Sequence, residues 1–315
     1  MQLLRIATRK SQLALCQANL VKQALLSHFP DLTISLVPLS TSGDQLLAEP
    51  LAAIGGKGLF IKEIEEALLD NRADIAVHSM KDMPVQITQN LEISACLERE
   101  DPRDVLVCLK YQHLSDMPEH SKIGTASLRR QNMVKYHYPH LITETLRGNV
   151  STRLSKLDAG QYDGIILAAA GLKRLGLPDR IQSYFSIMES LPAIGQGIIA
   201  IQCRENDHEI KKLLHRLDHT PTRLCLLAER ALNKALGGSC HAPIGGYAVI
   251  DTDQSKKEKL YLRGCVYSVD SKICLKSEAI GNINDMEKIG QKAAEDLLNQ
   301  GADNILKNIL HSTNR

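Results

Sequence analysis

Two spacings of apolar residues run through the first part of this chain. Leu3 to Ala7 and Thr33 to Leu39 read as strands, and between them Ala14, Ala18, Val21 and Leu25 recur on one helical face that ends near Phe29-Pro30. A strand, a helix and a second strand in that order predict a parallel pair with a helix lying across it. A helix over Leu59 to Leu69, with Phe60, Ile64 and Ala67 inward, and strands at Ala73 to Val77 and Leu91 to Cys96 extend the same rhythm. The rhythm then starts again. Lys122 to Thr125, Leu141 to Leu146 and Gly164 to Ala170 read as strands, with helices opening after Ala126 and near Val150. A strand over Ile198 to Gln202 and a helix around His208 to Leu217 follow.

Two segments interrupt the pattern. Glu98 to Asp104 is dense in charge and holds Pro102, and Pro192-Ala193-Ile194-Gly195-Gln196-Gly197 has the composition of a hinge. Two such crossings predict a first domain that leaves, builds a second and returns. The expected fold class is α/β, with two lobes on mixed, mostly parallel sheets that resemble periplasmic binding proteins, plus a small C-terminal α+β domain. The boundaries are 1–98 with 198–217, then 103–192, then 220–315. The last domain starts with a helix from Thr220 to Leu236, capped by Thr220 with Pro221 in its first turn and stopped by Gly237 and Gly238. Three strand-like runs (Tyr247 to Ile250, Leu260 to Ser268, Ile273 to Ile280) and helices at Asp285 to Asn299 and Asp303 to Leu310 complete it.

Composition narrows the function. With 43% hydrophobic and 23% charged residues the chain is of the soluble globular class. A net charge of +2 supplies no global field for nucleic acid, and 3% aromatics with no Trp disfavour base-stacking platforms. The opening residues do not read as a signal peptide, and no apolar run approaches a membrane span. Eight scattered cysteines without a C-x-x-C pair argue against structural zinc and a disulfide framework, and for a reducing, cytoplasmic setting. His137 and His140 lack thiol or carboxylate neighbours in sequence, so no metal site is expected. Near-neutral charge points to a monomer.

The candidate chemistry sits where strands end. In α/β sheets the carboxyl ends of strands carry the ligand. Ala73 to Val77 runs into His78-Ser79-Met80-Lys81-Asp82-Met83-Pro84, which puts a Lys-Asp pair at such an end. Arg129, Arg130, Arg147, Arg153 and Arg174 all follow strand ends, and a guanidinium fork suits carboxylates and phosphates. Ser40 to Gly58 is a long glycine-bearing stretch of the kind that forms lids, without the P-loop frame. Cys240 follows Gly237-Gly238 on a loop, read either as an ordinary thiol after a helix cap or as a thiol presented to a ligand. A non-catalytic binder of small anions would explain the arginines but would need neither Cys240 nor Asp82. A cysteine hydrolase would need a base for Cys240.

Taken together, His78 to Asp82 with Pro84, Glu98 to Asp104, Gly124-Thr125-Ala126-Ser127-Leu128-Arg129-Arg130, Leu146-Arg147-Gly148-Asn149-Val150 with Arg153, and the Cys240 loop resemble the hydroxymethylbilane synthase family, also called porphobilinogen deaminase. The resemblance runs from about Leu4 to the last helix. It implies a transferase of haem biosynthesis that condenses four porphobilinogen molecules, with loss of ammonia, onto a covalent dipyrromethane primer. Hydrolysis then releases linear hydroxymethylbilane. It implies a thioether from Cys240 to that cofactor, and no nucleic-acid or membrane partner. Asp82, Lys81, Arg9 and Arg147 match the catalytic set. Ser79, Lys81, Asp82, Thr125, Ser127, Arg129, Arg130, Arg147, Gly148 and Asn149 match cofactor contacts. Arg9, Ser11, Arg147, Arg153, Arg174, Gln196, Lys57 and Phe60 match substrate contacts. Cys16, Ala126 and His241 depart from residues frequent in the family, where Trp, Ser and Gln are common.

Overall fold

The structure, a computed structural model, describes residues 3–41, 61–238, 242–252 and 257–313. The chain divides into two units, Met1–Glu100 with Ile198–Arg223, and Asp101–Gly197 with Leu224–Arg315. The first unit therefore leaves and returns.

In the first unit the strands are β1 (Leu3–Arg9), β2 (Thr33–Leu39), β3 (Ile75–Ser79), β4 (Leu91–Cys96) and, after the return, β10 (Ile199–Arg204). Their order is β2-β1-β3-β10-β4. The pairs β1/β2 and β1/β3 are parallel, whereas β10 runs antiparallel to both β3 and β4. Four strands thus point one way and β10 the other. Alternation along β1 sends Leu4 and Ile6 to one face and Ala7 to the other. On the first face lie α1 (Gln12–His28), through Ala18, Val21 and Leu25, and α6 (His208–His215), through Ile210 and Leu214. On the second face α2 (Lys62–Leu69) buries Ile64, Ala67 and Leu68. Ser11 starts α1 by accepting the Ala14 N–H at 3.3 Å.

The second unit holds β5 (Asp104–Cys108), β6 (Lys122–Gly124), β7 (Ile142–Glu144), β8 (Gly164–Ala168) and β9 (Ser183–Tyr184), in the order β7-β6-β8-β5-β9. Here β6 is parallel to β7 and β8, and β5 is antiparallel to β8 and β9. The plan of the first sheet is repeated, with one reversed strand in the fourth place. In each sheet that strand, β10 or β5, is the one the chain forms directly after crossing. One face is covered by α3 (Leu128–His137), through Met133 and Val134; the other by α4 (Val150–Asp158) and α5 (Ala169–Arg174). The sequence predicts β6, β7 and β8 with the helices α3 and α4, but neither β5 nor its short partner β9. The five residues of β5 are all buried, yet it opens on a charge, Asp104.

The same unit contains an antiparallel meander of β11 (Ile244–Thr252), β12 (Glu258–Tyr267) and β13 (Cys274–Asn282). Leu260, Leu262 and Val266 of β12 pack with Ala228 and Leu232 of α7 (Thr220–Ala235) and with Ile289, Ala293 and Leu297 of α8 (Met286–Asn299). The last helix, α9, is Ala302–Thr313. On the opposite face Cys265 and Tyr267 join the core under α3, where Asn132 donates to Ser268 O at 3.0 Å. Glu229 of α7, fully buried, accepts from Ala248 N at 2.9 Å and from Gly195 N at 2.8 Å. One carboxylate thereby ties the helix to β11 and to the Pro192–Gly197 segment.

Candidate active site

In the first unit the site is set by what pins the Met80–Asp82 turn. β3 ends at Ser79 and passes into a single 3₁₀ turn. Met80 and Met83 flank it, 2% and 5% exposed, and Met80 N donates to Ile198 O at 3.0 Å. With both methionines sunk, Lys81 is half-buried and Asp82 is exposed. Among the described residues Asp82 has no hydrogen-bond or ion-pair partner. Arg9 ends β1, two positions past the β1/β3 pairing of Ala7 with Ala76. Since β1 and β3 are parallel neighbours, Arg9, Ser11, Ser79, Lys81 and Asp82 all leave the sheet at its carboxyl edge. Ser79 Oγ accepts from Gln17 Nε2 at 2.8 Å and donates to Gln17 Oε1 at 3.1 Å. Gln17 was not singled out in the sequence. Its signal was there: a polar residue next to Ala18 on the buried side of a helix, and it is 3% exposed.

In the second unit the segments after β6, β7 and β8 supply the remaining candidates. Thr125 is buried, and its Oγ1 accepts the Ser127 N–H at 3.2 Å at the start of α3. Gly148 has φ +114°, and a Cβ there would sit 2.7 Å from the Thr152 side chain, so only glycine fits between Arg147 and Asn149. Asn149 caps α4, its Oδ1 accepting from Thr152 N at 2.8 Å. Arg153 Nε donates to Gly148 O at 2.8 Å, and Arg174 Nη2 to Gly197 O at 2.7 Å. Arg147 is half-buried just past the edge of the same sheet.

Arg129, Arg130 and Gln196 converge on Asp104, the last residue of the charged Glu98–Asp104 segment. Asp104 is fully buried. Its Oδ2 lies 2.7 Å from Arg129 Nη1, and its Oδ1 accepts from Arg130 Nη2 at 2.7 Å and from Gln196 Nε2 at 2.9 Å. Ser190 Oγ adds a bond to Oδ2 at 2.8 Å. Burial pushes the Asp104 carboxyl up, but the two guanidiniums outweigh it and hold the acid well below the usual carboxylate range. The arginines and Gln196, matched in sequence to ligand contacts, are 3%, 5% and 1% exposed. Two cations face one carboxylate here, so the cluster keeps a net positive charge.

The helix that leads to the thiol ends as its glycines suggest. Gly237 has φ +62°, Gly238 N donates to Asn233 O at 2.9 Å and Gly237 N to Lys234 O at 3.0 Å, a two-bond cap on α7. A Cβ on Gly238 would collide with Asn233. Cys240 itself, and Lys57 and Phe60 of the expected lid, lie outside the described residues. No helix among the described residues is long and apolar enough to cross a membrane.

Two family models match in tandem. Residues 4–212 match the dipyrromethane cofactor-binding domain of porphobilinogen deaminase, and residues 223–299 match its C-terminal domain. The chain belongs to the porphobilinogen deaminase family. Porphobilinogen deaminases are transferases of tetrapyrrole synthesis, and this chain carries their dipyrromethane-binding domain. Among solved structures it is similar to the VFT2 domain of BvgS from Bordetella pertussis, with 15% identity over 69% of this chain and 86% of that one and a TM-score of 0.41. It is also similar to an ABC-transporter periplasmic substrate-binding protein from Coxiella burnetii, with 15% identity, 73% and 96% coverage and a TM-score of 0.43. In each unit taken by itself, cationic side chains follow strand ends, Arg9 and Lys81 in the first and Arg147, Arg153 and Arg174 in the second, and such groups suit carboxylates.

Proposed function

We propose that this chain adds four porphobilinogen units, one at a time and each with release of ammonia, to a dipyrromethane held by a thioether at Cys240, and that water then cleaves the bond between primer and product to release linear hydroxymethylbilane. When bound, the dipyrromethane supplies the free pyrrole α-carbon to which the first unit is joined. The reading is carried by the Met80–Asp82 turn, whose buried methionines present an exposed carboxylate beside Lys81 at the carboxyl edge of a sheet.

Each residue has a task that its chemistry allows. The Asp82 carboxylate is suited to face a pyrrole N–H and to stabilise the positive charge that develops as porphobilinogen loses ammonia. It can also deliver a proton to the departing amine and take one from the α-carbon. Lys81 and Ser79 orient carboxylates beside it, and Gln17 fixes the Ser79 hydroxyl. Arg9, with Ser11, binds the carboxylates of the incoming unit. Arg147, Arg153 and Arg174 bind those of the growing chain, with Thr125, Ser127, Gly148 and Asn149 shaping the loops that hold them. Arg129, Arg130 and Gln196 contribute through the fixed positive charge of the Asp104 cluster. Lys57 and Phe60 are assigned to substrate contact by the family motif alone, and the protein acts as a cytoplasmic monomer.

Asp82→Asn tests the assignment. It removes the charge and the proton carrier while keeping the side-chain shape. Porphobilinogen binding should persist and turnover should fall by about 10²-fold or more. Near-normal turnover would take the role away from Asp82.

A further inference from the structure

A line of buried polar side chains leads away from the residue before the Ser79–Asp82 stretch. His78 Nε2 is 3.0 Å from Gln202 Oε1. Gln202 Nε2 donates to Glu65 Oε1 at 2.7 Å, and Thr88 Oγ1 donates to Glu65 Oε2 at 2.6 Å. His78, Gln202 and Glu65 are 6%, 0% and 7% exposed. They come from β3, β10 and α2, so the line joins three elements of the first unit.

Its polarity is set from the Glu65 end. A carboxylate only accepts, so the Gln202 amide turns its NH₂ to Glu65 and its carbonyl to His78. A carbonyl only accepts, so His78 donates from Nε2. Burial lowers the imidazole to about 4, with Gln202 acting against the shift and the charge of Arg9 adding to it. At neutral pH the ring is uncharged and its one proton is on Nε2.

The line matters because the strand ladder thins at this point. β3 pairs with β1 at Ile75 and Ala76, whereas its pairing with β10 continues through His78 and Ser79. The last two residues before the Asp82 turn therefore keep a ladder on one side. Side chains hold the rest: Gln17 grips Ser79, and Gln202 grips His78.

We propose that the Glu65–Gln202–His78 chain is a positioning device for the Met80–Asp82 turn, acting through the Nε2–H of His78 to fix where the Asp82 carboxylate stands. The inference rests on the reading of Asp82 as the reacting acid. It makes Glu65, Gln202 and His78 positioning residues, which hold the turn without touching substrate.

The test compares His78→Leu, which deletes the donor, with His78→Gln, whose Nε2–H can replace it. His78→Leu should lower kcat at least tenfold while KM stays within about threefold, and His78→Gln should restore most of kcat. A Gln variant no better than Leu, or a change confined to KM, overturns the proposal. Should the Leu variant not fold, His78→Asn serves, since its amide is too short to reach Gln202 and should lose kcat as Leu does; normal kcat in a folded Asn variant also overturns it. Nitrogen-15 NMR of the wild-type protein, with the His78 signal assigned by its absence from the Gln variant, reads the tautomer without turnover. A neutral ring protonated at Nε2 at pH 7 is expected, and a charged ring or the Nδ1–H form overturns the proposal. A wild-type chain inert toward porphobilinogen overturns the functional reading, and with it the catalytic consequence drawn here. The tautomer distinguishes that failure from failure of the hydrogen-bonded line.

Discussion

Asp104 holds Arg130 by a single carboxylate oxygen: Oδ1 accepts Nη2 at 2.7 Å and Nε at 3.0 Å. That leaves Oδ2 for Arg129 at 2.7 Å. A residue at the mouth of β5 thus fixes two neighbouring arginines at the start of α3. Neutralising it strands two guanidiniums in a dry interior. Asp104→Asn should therefore cost on the order of 3–5 kcal/mol. Urea unfolding of the second unit checks this, followed by a probe local to that unit. A loss below about 1 kcal/mol would mean that the arginines find other partners.

His78 makes acid stability a second test. Its folded value is about 4, against an ordinary value of 6.5. Between those two values the unfolded chain binds a proton that the folded chain refuses, so stability falls as pH drops from about 6.5 to about 4. The contribution from this one ring is on the order of 3 kcal/mol. Denaturant titrations at pH 7 and pH 4.5 should show a smaller difference in His78→Gln than in wild type. Equal differences would assign the acid sensitivity elsewhere.

Arg147 separates binding from folding. It is half-buried past the edge of its sheet and outside the apolar clusters of the second unit. Arg147→Ala should change stability by less than about 1 kcal/mol. Elongation, followed by the distribution of chain-length intermediates, should slow at least tenfold. A variant that loses stability in step with activity contradicts a ligand role.

Much of this was readable from the chain, for reasons that differ by element. The strand Thr33–Leu39 and the helix after Ser11 carry clean periodicities and a local cap, so their positions follow from neighbours in sequence. The Gly237-Gly238 stop is likewise local. β5 was not readable, because a short strand buried on both faces shows no alternation and begins on a charged residue. Its meaning depends on Arg129 and Arg130, a strand and a helix further on. Gln17 is tied to Ser79, and Gln202 to Glu65, across 62 and 137 positions, between elements that no local pattern connects. The repeat of the strand–helix rhythm and the two lobes were readable, but the shared strand order with its reversed fourth strand was not, since it is a matter of pairing and not of residues.

The central claim is that one sulfur, Cys240, carries a covalent dipyrromethane inside this chain. Intact mass of the purified protein, produced in a host able to make porphobilinogen, tests it most directly. The wild-type chain should exceed its sequence mass by one dipyrromethane, and Cys240→Ser should not. A wild-type chain at its bare sequence mass, or a serine variant loaded to the same extent, would contradict the account.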